Sequence, residues 1–178
     1  MKVNISKTIF ILLVGLQYLI APQVVFADTK KSSGAWQYRQ HTQIKWREYN
    51  AAAFAEAKKQ GKPVYIFIYS DLCSWCRKFE TETLEKASIR KIIKDEFIPV
   101  AIDQVAQPEL AKQLGISLVP ASILLTPTRK KLLRFYGVLS EKDLSYALGK
   151  TLASWRKGEI PEEEFGDEST CCPVPGVR

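Results

Sequence analysis

The chain has 178 residues, enough for one ordinary domain, since domains usually run about 100–200 residues. Hydrophobic residues make up 46% and charged residues 25%, which excludes a disordered polyelectrolyte and a collagen-like repeat. The formal net charge is +7, but lysines alternate with acids over residues 80–86 and 91–96, so no basic run points to nucleic acid.

Lys2 and Lys7 precede an apolar run over residues 8–20, which Ala21-Pro22 breaks. Val25-Phe26-Ala27 then supplies small residues at two cleavage-selective positions. This is the anatomy of a secretory signal peptide over residues 1–27, cut after Ala27, and it predicts a periplasmic or secreted protein. The alternative is an uncleaved anchor, because the apolar character reaches Ala27 and a spanning helix needs about 20 residues.

Residues 28–45 read as an N-terminal arm, polar to Gly34, with a short edge strand over residues 43–46. Asn50 is placed as the N-cap of a helix over residues 51–60, rich in strong helix formers, which Gly61 and Pro63 end. Val64-Tyr-Ile-Phe-Ile-Tyr69 is apolar without alternation, the pattern of a strand buried on both faces. A helix begins near Cys73 and carries Phe79; Ser88 caps a second piece that turns Ile89, Ile92 and Ile93 inward. A strand over residues 97–102 follows, then a helix opened by Pro108 and closed by Gly115. Strands over residues 121–125 and 132–136 flank a basic turn. Ser140 and Asp143 form a capping box for a last helix that buries Leu144, Leu148, Leu152 and Trp155. Residues 158–178 turn acidic and proline-rich and read as a tail. Strands alternating with helices imply a sheet covered on both faces.

All four cysteines lie beyond the leader, as Cys73/Cys76 and Cys171/Cys172. Export places them where disulfides persist, and a domain of this size does not need them as staples. Cys73 and Cys76 sit at i and i+3 where a strand passes into a helix. The first thiol faces backbone N–H groups that favour its thiolate, which can lower a thiol from about 8.5 into the range 3.5–7.5. The second lies deeper and can attack a mixed disulfide formed on the first, which is the minimum for exchange. The same spacing also occurs in half of a zinc site or in a structural disulfide. Structural zinc takes four ligands, and the remaining candidates are His41 and the two distant tail cysteines, so no metal is expected.

The stretch over residues 46–155 resembles the thioredoxin superfamily, most of all its exported single-domain branch and the C-terminal domain of the thiol-disulfide interchange protein. Gly61-Lys-Pro-Val, Cys76-Arg-Lys-Phe-Glu80 and Gly115-Ile-Ser-Leu-Val-Pro120 carry the resemblance, in the family's order. It implies an α/β thioredoxin fold over residues 46–157, with a central mixed sheet flanked by helices. It also implies a cis Pro120 facing the cysteines, with Val119 offering backbone groups to a substrate strand. There are departures. Where many relatives carry a buried Asp six positions before the first cysteine, this chain has Phe67. Glu80, one turn beyond Cys76, is the candidate proton acceptor in its place, or else a solvated helix carboxylate. Trp75 stands where many relatives have Pro and is a candidate substrate contact, or packs on the neighbouring loop.

The resemblance thus implies a protein-disulfide oxidoreductase with Cys73 as nucleophile and Cys76 as resolving thiol. Its disulfide carries the electrons without a cofactor, and its partners are protein thiols or disulfides and a membrane thiol donor. Ser74-Trp75 brings no positive charge between the thiols, and Asp71 and Glu80 are acidic, so the reductase direction is slightly favoured over oxidase. Two other readings stand beside it: a thioredoxin-fold binding or chaperone module, and a metal carrier using Cys73 and Cys76. Cys171-Cys172 are read as part of a non-catalytic tail.

Overall fold

The computed structural model describes residues 38–159 and the backbone of Glu163–Phe165. The chain divides between Ser33 and Gly34, and everything described belongs to the second part. The leader, the polar arm before Gly34 and Cys171-Cys172 lie outside the described residues. Among those described, no helix is long and apolar enough to cross a membrane.

The elements, in order, are α1 (Tyr38–His41), α2 (Ala51–Gln60), β1 (Val64–Tyr69), α3 (Ser74–Phe79), a π-helical turn (Glu80–Leu84), α4 (Ala87–Glu96), β2 (Ile98–Asp103), α5 (Pro108–Gln113), β3 (Ala121–Leu125), β4 (Lys131–Tyr136), α6 (Glu141–Arg156) and β5 (Glu163–Phe165). The strands form one mixed sheet in the order β2-β1-β3-β4-β5. β1 runs parallel to β2 and antiparallel to β3, and β4 is antiparallel to β3 and parallel to β5.

Every residue of β1 is buried, as its unbroken apolar run requires of a central strand. Its alternation sorts the core into two layers. Tyr65, Phe67 and Tyr69 face one layer with Phe79, Leu84, Ile89, Ile93, Leu144 and Leu148. Val64, Ile66 and Ile68 face the other with Phe54, Ala57, Ala111 and Ile123. Asn50 caps α2 by accepting from the Ala53 N–H at 3.0 Å, and Gly61 ends it in the left-handed region at φ 63°. Ser140 likewise caps α6, accepting from the Asp143 N–H at 3.2 Å. Trp155 is only partly buried against the core.

The structure corrects four expectations. The edge strand over residues 43–46 does not form; Arg47 instead makes a single parallel bridge to Val100. The arm over residues 28–45 also sends side chains into the core, since Tyr38 and Ile44 are buried. Ser88 does not cap α4. The helix starts two residues earlier than expected, so Lys86 takes the cap position and Ser88 donates to the Glu141 carboxylate. The tail is not all appendage, because Glu163–Phe165 adds a strand beside β4.

Candidate functional site

β1 ends at Tyr69, and Ser70, Asp71 and Leu72 turn the chain into α3. Ser70 shapes this turn twice: its carbonyl accepts from the Cys73 N–H at 3.0 Å, and its hydroxyl accepts from the Leu72 N–H at 3.2 Å. Cys73 therefore arrives with extended backbone angles as the N-cap of α3, and its Sγ accepts from the Cys76 N–H at 3.1 Å. A cap position exposes one side of the residue while its side chain meets backbone donors. Cys73 is accordingly half-buried, whereas Cys76, one turn in, is fully buried. Both thiols are free.

The two sulfurs compete for one proton. The Cys76 thiol, as a donor to the Cys73 sulfur, lowers the Cys73 thiol to about 6; burial opposes this, and the Cys76 and Trp75 backbone N–H groups reinforce it. Cys76 moves the other way, far above the ordinary thiol range, because it holds the shared proton, is desolvated and faces the Glu80 carboxylate. Near neutral pH this site is a thiolate in front of a protonated thiol.

The remaining sequence-chosen residues gather around this pair. The Val119–Pro120 peptide bond is cis, and the Val119 carbonyl oxygen lies 3.6 Å from Cys73 Sγ. Pro120 is buried and Val119 partly so. The segment before them is held from β4, where the Tyr136 hydroxyl donates to the Gly115 carbonyl at 3.2 Å. Trp75 is half-buried on the rim, with Lys78 Nζ 5.2 Å from its ring centre. Glu80 is 1% exposed, so it is not a solvated helix carboxylate. It reaches that depth because it follows Cys76 by four residues, on the same face of the helix.

Sequence reasoning missed the shell around Glu80. Tyr38 and Tyr69 are both buried, burial pushes both hydroxyls up, and the Glu80 carboxylate adds to the shift at each. Tyr38 packs edge-on against Phe67 at 5.6 Å and Tyr69 at 5.8 Å, and its backbone N–H donates to Asp71 at 3.4 Å. Burial raises the Asp71 carboxyl as well. The one available signal was the density of aromatics before Asn50, which exceeds what a polar arm needs. Also missed were Leu72 and Leu118, the chain neighbours of Cys73 and Val119, which are 80% and 42% exposed. Among the described residues, no cluster of three His, Cys, Asp or Glu side chains has the arrangement of a metal site.

The family described as Thioredox_DsbH (Protein of unknown function, DUF255) matches residues 28–133, more than half of the chain. A Caenorhabditis elegans protein, "Uncharacterized protein B0495.5", is 29% identical over 92 residues, which is 47% of this chain and 13% of that one. The chain spans only about a tenth of the length of the curated relatives it matches. A Thermus thermophilus thioredoxin superposes with a TM-score of 0.59 at 19% identity, covering 66% of this chain and 95% of its own. A structure named "DsbH Oxidoreductase" superposes at 0.54 and 19% identity, covering 63% and 86%. At such identities the likeness shows a thioredoxin fold.

Proposed function

The chain belongs to the Thioredox_DsbH family of thioredoxin-fold domains, and from that premise we propose that it is an exported thiol-disulfide oxidoreductase acting on protein substrates in the reductase direction. One observation carries the reading: a half-exposed Cys73 thiolate, lowered to about 6 and held by the Cys76 N–H, stands in front of a buried Cys76 that retains its proton. Exchange chemistry needs that division of labour between the two thiols.

The reaction runs in two steps. The Cys73 thiolate attacks one sulfur of a substrate disulfide, forms a mixed disulfide and releases the other substrate sulfur as a thiolate. Cys76 then passes its proton to Glu80, and its thiolate attacks Cys73 Sγ. The Cys73–Cys76 disulfide forms, the second substrate thiol leaves, and two electrons have passed from the dithiol to the substrate. Val119 and cis Pro120 bracket the substrate strand, and Trp75 contacts it. A dithiol donor, placed in the membrane, returns the pair to its reduced form. No separate cofactor takes part. A Cys73 thiol near 6 is closer to the thioredoxin-like value of about 7 than to the about 3.5 of a strong oxidant, which slightly favours the reductase direction.

The test is a trap. Cys76→Ser should still attack a disulfide-bearing substrate but should accumulate a covalent adduct that dithiothreitol releases. Cys73→Ser should form no adduct and reduce nothing. Adducts on Cys73→Ser alone would reverse the two roles, and no adduct on either variant would leave the binding module as the better reading. Export is tested separately: sequencing of the secreted protein should begin at Asp28, while retention of Met1 on a membrane-bound form would favour the anchor.

A further inference from the structure

A cavity of ≈ 680 Å³ opens at the edge of β2, lined on one side by Gln43, Ile44, Lys45 and Arg47 and on the other by α4. It lies at the end of the sheet remote from the thiols. Ile98 in its floor pairs with Val64, the first residue of β1, whereas Cys73 follows the last. Its floor is Phe97, Ile98 and Pro99, and its rim carries Lys45, Arg47, Arg90, Lys91 and Lys94 against one carboxylate, Asp95.

Some of that charge is already committed. Arg47 uses two nitrogens on Glu56 at 2.6 Å each, and Lys91 holds Asp95 at 2.6 Å. Arg90 engages Glu85 through Nη1 alone, at 3.3 Å. Among the described residues neither Lys45 nor Lys94 has an ion-pair partner, and both are exposed. Two ammoniums without an ion-pair partner and a partly engaged guanidinium thus rim one concavity, Lys45 from the segment before α2 and Arg90 and Lys94 from α4.

The backbone narrows what can bind. A peptide strand adding to β2 would need free groups on its outer edge. Pro99 has no N–H, its carbonyl already accepts from the Arg47 N–H at 3.0 Å, and the Ala101 N–H donates to the Arg47 carbonyl at 3.1 Å. A strand therefore cannot add at this edge, and the charged side chains of the rim are the groups that face a ligand. The volume exceeds that of an inorganic ion and falls within the range of about 300–1,000 Å³ typical of small-molecule sites. Several cations rimming one space suit a group with more than one negative charge. A phosphate ester supplies about −1.5 to −2 at pH 7 and three acceptor oxygens, where a carboxylate supplies one charge.

We propose that this cavity is a ligand site remote from the thiol pair and that it takes a small phosphate-bearing organic molecule, free or as a lipid headgroup, held by Lys45, Lys94 and Arg90.

The test is a titration of the isotope-labelled full chain, followed by the backbone amide signals of Ala87, Lys94 and Phe97. The probes are glycerol phosphate, vesicles of phosphatidylglycerol in phosphatidylcholine, and hexaglutamate. Saturable shifts with glycerol phosphate in solution support a free phosphate ester, and saturable binding to anionic vesicles alone supports the headgroup. Lys45→Gln and Lys94→Gln should each weaken binding roughly tenfold, as expected for loss of one hydrogen bond to a charged group. Both side chains are exposed, so the fold should stand. Lys130→Gln, at an exposed lysine away from the cavity, should leave binding unchanged. Equal weakening by Lys130→Gln would reduce the effect to diffuse charge and overturn the site. So would binding of hexaglutamate alone, or no saturable shift with any phosphate probe.

Discussion

The two faces of β1 differ in kind, though they are built from one hexapeptide. Val64, Ile66 and Ile68 enter a mostly aliphatic layer closed by α2 and α5, which holds neither thiol nor Glu80. Tyr65, Phe67 and Tyr69 enter an aromatic layer beneath α3, α4 and α6, and that layer also holds Cys76, with Glu80 buried beside it. Phe67 stacks on Tyr69 at 5.5 Å and meets Phe79 edge-on at 5.8 Å. Aromatic rings fill space around a polar group without themselves supplying a charge. The hydrogen bond between the two sulfurs raises Cys76 and lowers Cys73, and burial of Cys76 in this layer adds to its rise. One layer holds the sheet together, while the other also houses the buried thiol and its neighbouring carboxylate.

The sharpest way to break this division is at Glu80. If it takes the Cys76 proton, Glu80→Gln should slow substrate release by about 10²–10⁴-fold, the usual range for general acid–base groups, while adduct formation at Cys73 continues. Measured from pH 6 to 9, exchange rates equal to those of the unchanged protein would remove the relay and leave Glu80 as a buried structural carboxylate.

Glu80 also marks where the sequence stops being legible. From sequence Glu80 reads as a proton acceptor for Cys76 or as helix surface, because it follows Cys76 by one turn but carboxylates are rarely buried. Its place one turn after Cys76 turns it inward, and Tyr38 and Tyr69, from distant segments, are buried near enough for its charge to act on both. β1, the Asn50 and Ser140 caps and Gly61 were readable because each depends on its own few neighbours. Ser88 misled because the π turn just before the helix leaves no mark in composition, and the helix cap falls two residues before the serine. β5 was hidden because Glu163–Phe165 is too short and too acidic to resemble a strand by itself. The thiol pair was readable because its chemistry depends on spacing and on a strand–helix junction.

A smaller effect is expected on the aliphatic face. Ile66→Ala should cost about 2–5 kcal/mol of stability through lost burial and the cavity left behind. It should leave the Cys73 titration near 6 unmoved, as read by alkylation rate against pH. That titration has a stability counterpart with a definite sign. The folded value of about 6 lies below the ordinary 9.0, so the thiolate contributes stability that is absent below about pH 6 and grows towards pH 9. Cys76 is raised instead, so its contribution is present below pH 9 and lost above. Between pH 6 and 9 the reduced protein should therefore gain stability relative to the oxidised one, in the parent and in Ile66→Ala alike. A shift of the thiol titration in Ile66→Ala would mean that the two layers are not independent.

The smallest effect tests whether the aromatic face itself is uniform. Tyr65 belongs to the same layer as Cys76 but lies at the far end of β1, where its hydroxyl pairs with Ser122 Oγ at 2.9 Å and both residues are fully buried. Tyr65→Phe keeps the ring and leaves the Ser122 hydroxyl without its partner, which should cost about 1–3 kcal/mol. Ser122→Ala should cost a similar amount by orphaning the Tyr65 hydroxyl. The double variant should cost less than the two singles added together, because no orphaned group remains and contacting residues couple. Denaturant midpoints of the four proteins measure that coupling, and additive costs would mean the hydroxyls are satisfied independently. Thiol reactivity decides the larger question. An unchanged alkylation profile in Tyr65→Phe would confine thiol tuning to the Phe67–Tyr69 end of the strand, next to Tyr38 and Glu80. A displaced profile would mean that the whole aromatic layer, from Tyr65 to Tyr69, acts on the thiols as one body.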